Sequence, residues 1–146
     1  MIRYTATKQL SIEDFQHPFG KSLNPNNKWV LLSNAIDWDL FATYYYEKMS
    51  RKRGAPSKDA RLVLGSLIIK HMCNLSDQAT IEMIQENIYM QYFVGLSSFS
   101  WDPIFDASLF VSIRKRLSKS LLDNIVVSMI KGETDFVKKK VTMLEL

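Results

Sequence analysis

"LVLGSLIIKHMC", residues 62–73, is apolar on nearly every side except for Lys70, His71 and its small residues. A helix with no polar face belongs at the centre of a domain and must be wrapped by others. The preceding stretch "SRKRGAPSKDAR", residues 50–61, is a basic turn. Pro56 stops the structure before it, and Ser57 supplies a helix cap with Asp59 in the first turn. The following "NLSDQATIEMIQEN", residues 74–87, is a tight turn and a second helix, capped by Ser76 and apolar at Ala79, Ile81, Ile84 and Ile88. "IYMQYFVGL" continues as a short aromatic helix that stops at Gly95. Upstream, Ser33 or Asn34 caps a helix to about Met49, in which the aromatics at 44–46 are core and edge packing. Downstream, a loop turned by Pro103 leads to a helix capped by Asp106, and a last amphipathic helix ends before Gly132. The expected fold class is all-α, a compact multi-helix domain.

The whole chain of 146 residues suits one domain. The expected division is an irregular segment over 1–32, a helical domain over 33–131, and a tail or linker over 132–146. Hydrophobic residues form 47% and charged residues 23%, ordinary globular values, and with only 5 Gly and 4 Pro most of the length is expected to be ordered. No apolar run approaches the roughly 20 residues of a membrane span, and "MIRYTATKQL" has no signal core. One cysteine, Cys73, permits no internal disulfide and suits a reducing compartment, so a cytoplasmic location is expected. His71 and Cys73 have no partners at zinc spacing and are read as structural; no metal or cofactor is expected.

The net charge of +4 hides an alternation. Residues 51–75 carry six cations and one acid, residues 76–106 five acids and no cation, and residues 107–131 five cations and one acid. The second basic block lies in "DASLFVSIRKRLSK", residues 106–119. At 100° per residue, Leu109, Phe110, Ile113 and Leu117 share about a third of the helix circumference and face the core. Ser108, Val111, Ser112, Lys115 and Lys119 lie opposite, with Arg114 and Arg116 on the flanks. Small residues near the start allow approach to base edges in a DNA groove, while cations reach phosphates. The helix pair across the "NLS" turn would complete a trihelical, helix-turn-helix-like unit. Candidate DNA-binding residues are Ser108, Ser112, Arg114, Lys115, Arg116 and Lys119, with Arg51, Lys52, Arg53, Lys58 and Arg61 on neighbouring phosphates.

The order of motifs resembles the N-terminal domain of insertion-sequence-five-type DDE transposases. The matching positions are Ile36-Asp37-Trp38, Gly54-Ala55-Pro56, Leu75-Ser76, Val94-Gly95-Leu96, Asp106-Ala107-Ser108-Leu109 and Arg114-Lys115-Arg116-Leu117, over roughly residues 25–131. The resemblance implies a domain that recognises the terminal inverted repeats of a mobile element in double-stranded DNA. It also implies that the catalytic carboxylates belong to a following RNase-H-like domain that this chain lacks, so no catalytic residue is assigned. Three rival readings are a stand-alone DNA-binding regulator, an oligomerisation module in which helix 119–131 packs on a second copy, and a nuclease using Asp102 and Asp106. Acids beside Pro103 serve more simply as helix caps.

Overall fold

The computed structural model describes residues 11–17, 22–50 and 58–133. Its helices are α1 (Lys28–Ala35), α2 (Trp38–Ser50), α3 (Ala60–Cys73), α4 (Asp77–Glu86), α5 (Ile88–Phe93), α6 (Ser108–Arg116) and α7 (Lys119–Lys131). The all-α class holds: among the described residues the only β pairing is a lone bridge between Gln16 and Ser98. None of these helices is long and apolar enough to cross a membrane.

α3 occupies the centre, in contact with α2, α4 and α7. From Ala60 to Ile69 every residue but Leu62 is buried. The Asp59 carboxylate caps it by accepting the Arg61 and Leu62 N–H groups, and Asn74 ends it in the left-handed conformation at φ 53°. Ser57, the cap expected from the sequence, lies outside the described residues, as do Arg51, Lys52 and Arg53. Gly65 allows the chain just after α5 to approach α3 closely. A β-carbon there would come within 3.2 Å of the Val94 backbone.

Helix boundaries near the start of the chain differ from the sequence reading. The first helix starts at Lys28, inside the segment expected to be irregular, because Asn27 accepts the Trp29 N–H at 2.8 Å and closes the turn after Pro25. The single helix expected over 33–49 is broken at Ile36, which is extended, and restarts with the Asp37 carboxylate accepting the Leu40 N–H. The Trp38 indole donates back to the Ser33 carbonyl at 3.0 Å and closes this corner. The α4 cap falls as expected, with Ser76 accepting the Ala79 N–H, whereas Asp59, expected in the first turn of α3, is its cap instead and the helix starts at Ala60. The aromatics Tyr44 and Tyr45 are buried and Tyr46 is half-buried. α7 buries Leu122, Ile125, Val126 and Met129 inside the same chain. The apolar stripe on which the oligomerisation reading rested is therefore already covered.

Arg61 requires a correction. The sequence placed it in a basic turn facing phosphate, but it is only 3% exposed. Its Nε donates to the Phe93 carbonyl at 3.0 Å, and Nη2 donates to Ser33 Oγ at 2.8 Å and to the Tyr92 carbonyl at 3.5 Å. The guanidinium carbon lies 4.5 Å from the Trp38 ring centroid. Gly95, at φ +94°, clears its path, since a β-carbon there would sit 3.0 Å from Arg61 Cδ. A side chain so held ties α3 to α1, α2 and α5 and cannot reach DNA.

Arg61→Ala would orphan two carbonyls and a hydroxyl and open a cavity. It should cost about 3–5 kcal/mol, a large share of the roughly 5–15 kcal/mol that holds a domain together. Arg61→Lys should recover little, because an ammonium lacks the planar fork that serves three acceptors. Urea unfolding measures both. An unchanged midpoint in Arg61→Ala would return the residue to the surface.

Candidate nucleic-acid interface

α6 presents its two faces as its spacing requires. Phe110, Ile113 and Leu117 are buried, Leu109 is half-buried against the core, and Ser108, Val111, Ser112 and Lys115 are exposed. The Asp106 carboxylate accepts the Ser108 N–H at 2.8 Å. That bond holds its carboxyl below the ordinary range, so the acid acts as a cap. At the other end, Arg114, Lys115 and Arg116 fill the last turn, where the helix dipole favours cations. The chain breaks at Leu117 and restarts with Ser118 capping α7 through the Leu121 N–H at 3.1 Å. Lys119 is exposed in the first turn of α7, which holds no acid. A cation beside the positive end of a helix raises the local potential and favours an anion there.

The three consecutive cations are not equivalent. Arg114 forms a bidentate pair with Asp77 at the start of α4, with N–O distances of 3.0 and 2.6 Å. Lys70 of α3 stands 3.6 Å from the same carboxylate. The Arg114 hydrogen bond holds the Asp77 carboxyl below its usual value, and Asp77 raises the Arg114 guanidinium in turn. Arg114 thus fastens α6 to α4. Arg116 is half-buried near the Tyr45 phenol. Burial pushes that phenol well up, Tyr46 adds to the shift, and Arg116 opposes it. Only Lys115 of the three is exposed.

Between α3, α6 and α7 lies a cleft of about 400 Å³. Lys70, His71, Arg114 and Lys119 line it with one acid, Asp123, over a floor that includes Leu67, Leu122 and Val126. Of the sequence candidates, the structure brings Ser108, Ser112 and Lys115 onto one exposed face of α6, with Lys119 beyond its end and Arg114 at the cleft. Lys58 is exposed just ahead of α3. Lys70 and His71 were passed over in the sequence because they sit in the apolar central helix. The signal was their place in its last turn, where the helix emerges from the core. Among the described residues, no three His, Cys, Asp or Glu side chains gather to hold a metal ion.

Residues 17–116 match the profile of a transposase domain family, DUF772. The chain belongs to this family. The match runs from just before α1 to the last residue of α6, so the exposed α6 face is part of the transposase domain. A relative in Rhizobium meliloti, the uncharacterized protein ORF8 in the nfe locus, is 32% identical over 108 residues. That alignment covers 71% of this chain and 50% of the relative, so it spans half the relative's length. No solved structure matches.

The Asp77 pair makes the transposase domain's stability depend on pH with a definite sign. A carboxyl lowered by folding stabilises the native state above its unfolded value of 3.8 and loses that contribution as pH falls further. Asp77→Asn should cost on the order of 1 kcal/mol near neutrality, the modest value of a part-exposed pair. The gap from the parent should narrow as pH falls below 3.8. Thermal midpoints of both proteins across that range test it. A gap that stayed constant with pH would remove the carboxylate's charge as its cause.

Proposed function

We propose that this transposase domain binds duplex DNA, laying the exposed face of α6 in a groove while the start of α7 and the adjoining cleft rim follow the phosphate backbone. The observation that carries the reading is the composition of that face: Ser108, Ser112 and Lys115 are exposed on a helix that contains no acid. Ser108 and Ser112 are small hydrogen-bonding groups able to approach base edges. Lys115 and Lys119 are long enough to reach phosphates on either side. α3 and α4, joined across Asn74-Leu75-Ser76, support α6 through the Arg114–Asp77 pair. We read these three helices as the trihelical, helix-turn-helix-like unit of the domain, a reading the Arg114–Asp77 pair supports. In a transposase such a domain would recognise the ends of the mobile element as terminal inverted repeats.

The reading separates cations that bind from cations that build. Lys115→Ala and Lys119→Ala should each reduce the slope of log affinity against log salt by about 0.9. Arg114→Ala should instead lower the thermal midpoint, because it frees Asp77. Fluorescence anisotropy with a labelled duplex, repeated over a salt series, gives the slopes. Unchanged slopes in folded Lys115→Ala and Lys119→Ala proteins would reject this face as the contact.

We further infer that the domain binds without cutting. Two-metal strand cleavage needs carboxylates converging on ions roughly 4 Å apart. Asp77 is paired with Arg114, and Asp106 is bonded to the start of α6. Incubation of duplex carrying an element end with Mg²⁺ and with Mn²⁺ should leave it intact. Nicking at the boundary that disappears in a folded Asp102→Ala or Asp106→Ala protein would establish the nuclease instead.

A further inference from the structure

The most exposed large apolar side chain given by the structure is Trp101, at 76%, whereas Trp29 and Trp38 are at 2% and 1%. The loop that carries it is firmly held. Buried Gln91 donates its amide to the Ser100 carbonyl at 2.9 Å and accepts the Ser100 N–H at 2.8 Å. Gln85 donates to the Trp101 carbonyl at 2.8 Å. Two residues earlier, the Phe99 N–H donates to the Gln16 carbonyl at 2.6 Å, and the Phe99 ring meets the Trp101 ring edge-on at 4.8 Å. The fold thus fixes the backbone on both sides of an indole that it leaves in water. An anchor ordered in advance loses little entropy when a partner covers it, and tryptophan is prominent among such anchors.

The surroundings select the partner. The Gln85 bond places the loop beside α4, whose solvent side exposes Glu82, Met83 and Glu86, and Asp102 is exposed next to the indole. Residues 76–106 contain no lysine or arginine. Such a field repels nucleic acid and anionic membranes, and it attracts a surface of cations around a small apolar contact. The chain carries such a surface itself. Val111 is 42% exposed on α6, Lys115 lies one turn further along the same face, and Lys119 follows at the start of α7.

We propose that the Trp101 surface docks the α6–α7 basic face of a second copy of this chain, head to tail. Val111 packs on the indole, and Lys115 and Lys119 approach Glu82, Glu86 and Asp102. The two patches differ, so the contact is heterologous: each copy in a line keeps one unused patch of each kind, and association continues past the dimer. Because the contact occupies the proposed DNA face, duplex DNA would compete with it.

The test uses the full chain without DNA, so failure of the DNA-binding reading leaves its outcome unaffected. In sedimentation velocity at low salt the parent's mean mass should rise with concentration from 16.9 kDa through the dimer and beyond, and high salt should reverse the rise. Trp101→Ala and the double variant Lys115→Glu/Lys119→Glu should each remain monomeric. Both change exposed side chains, and circular dichroism checks their folding. Mixed one to one, they should form a dimer and stop there, because each retains the patch the other has lost. Collisional quenching by acrylamide adds a second readout, since Trp101 is the exposed indole. Quenching should weaken as the parent's concentration rises and should not change with concentration in Lys115→Glu/Lys119→Glu. A parent that stays at 16.9 kDa throughout, or variants that associate as the parent does, would overturn the proposal. A mixture that fails to pair would overturn the head-to-tail arrangement.

Discussion

The domain is organised around the buried guanidinium of Arg61. Moving a cation out of water costs several kcal/mol unless its donors are matched. Here the match comes from carbonyls at the end of α5, the Ser33 hydroxyl and the face of the Trp38 indole. A helix's C-terminal carbonyls carry partial negative charge, which lets them receive the cation. The arrangement fixes where α5 ends, at Phe93, and Gly95 two residues on turns the chain into the 97–107 loop. That loop presents Trp101 and delivers the chain to α6. Both surfaces with a proposed role therefore begin at a corner held by one arginine from the central helix.

How legible this was depended on the range of the interaction concerned. α3 could be read from "LVLGSLIIKHMC" because a helix without a polar side has one place to go. The Ser76 cap, the stop at Gly95 and the two faces of α6 are local patterns and were equally readable. Arg61 was not readable, because its partners Ser33, Tyr92 and Phe93 lie 28 to 32 residues away. Nothing near it in sequence distinguishes it from Lys58. The start at Lys28 was hidden for a different reason: Asn24, Pro25, Asn26 and Asn27 all signal a turn, and only the structure shows that the last of them caps a helix. The corner at Ile36 depends on the Trp38 indole reaching back to Ser33, another contact that periodicity does not register.

The alternating charge blocks have the same mixed character. Counted along the chain they suggest one basic and one acidic surface, yet some of the charges meet across the fold. Asp77 comes from the acidic block, Arg114 and Lys70 from the two basic blocks, and the three meet where α3, α4 and α6 approach. Such pairs contribute modestly to stability but strongly to geometry, since a bidentate fork fixes direction as well as distance. What remains outside these pairs carries any surface function, which is why Lys115 and Lys119 count for more in the proposed interface than the adjacent arginines.

The family match ends at Arg116, but the proposed interface cannot. α6 rests on α7, and α7 rests on α3. Leu122 and Val126 of α7 form part of the floor of the cleft whose rim includes Arg114, and Lys119 stands at its edge. A helix of 9 residues is too short to hold its shape alone in water. Its exposed face keeps a fixed orientation because Phe110, Ile113 and Leu117 are buried beneath it and Arg114 is paired with Asp77. The sharp restart at Ser118 then turns α7 back across the core, leaving Lys119 beside the cations of α6. The unit that can present this face is therefore longer than the matched span, and α7 belongs to it.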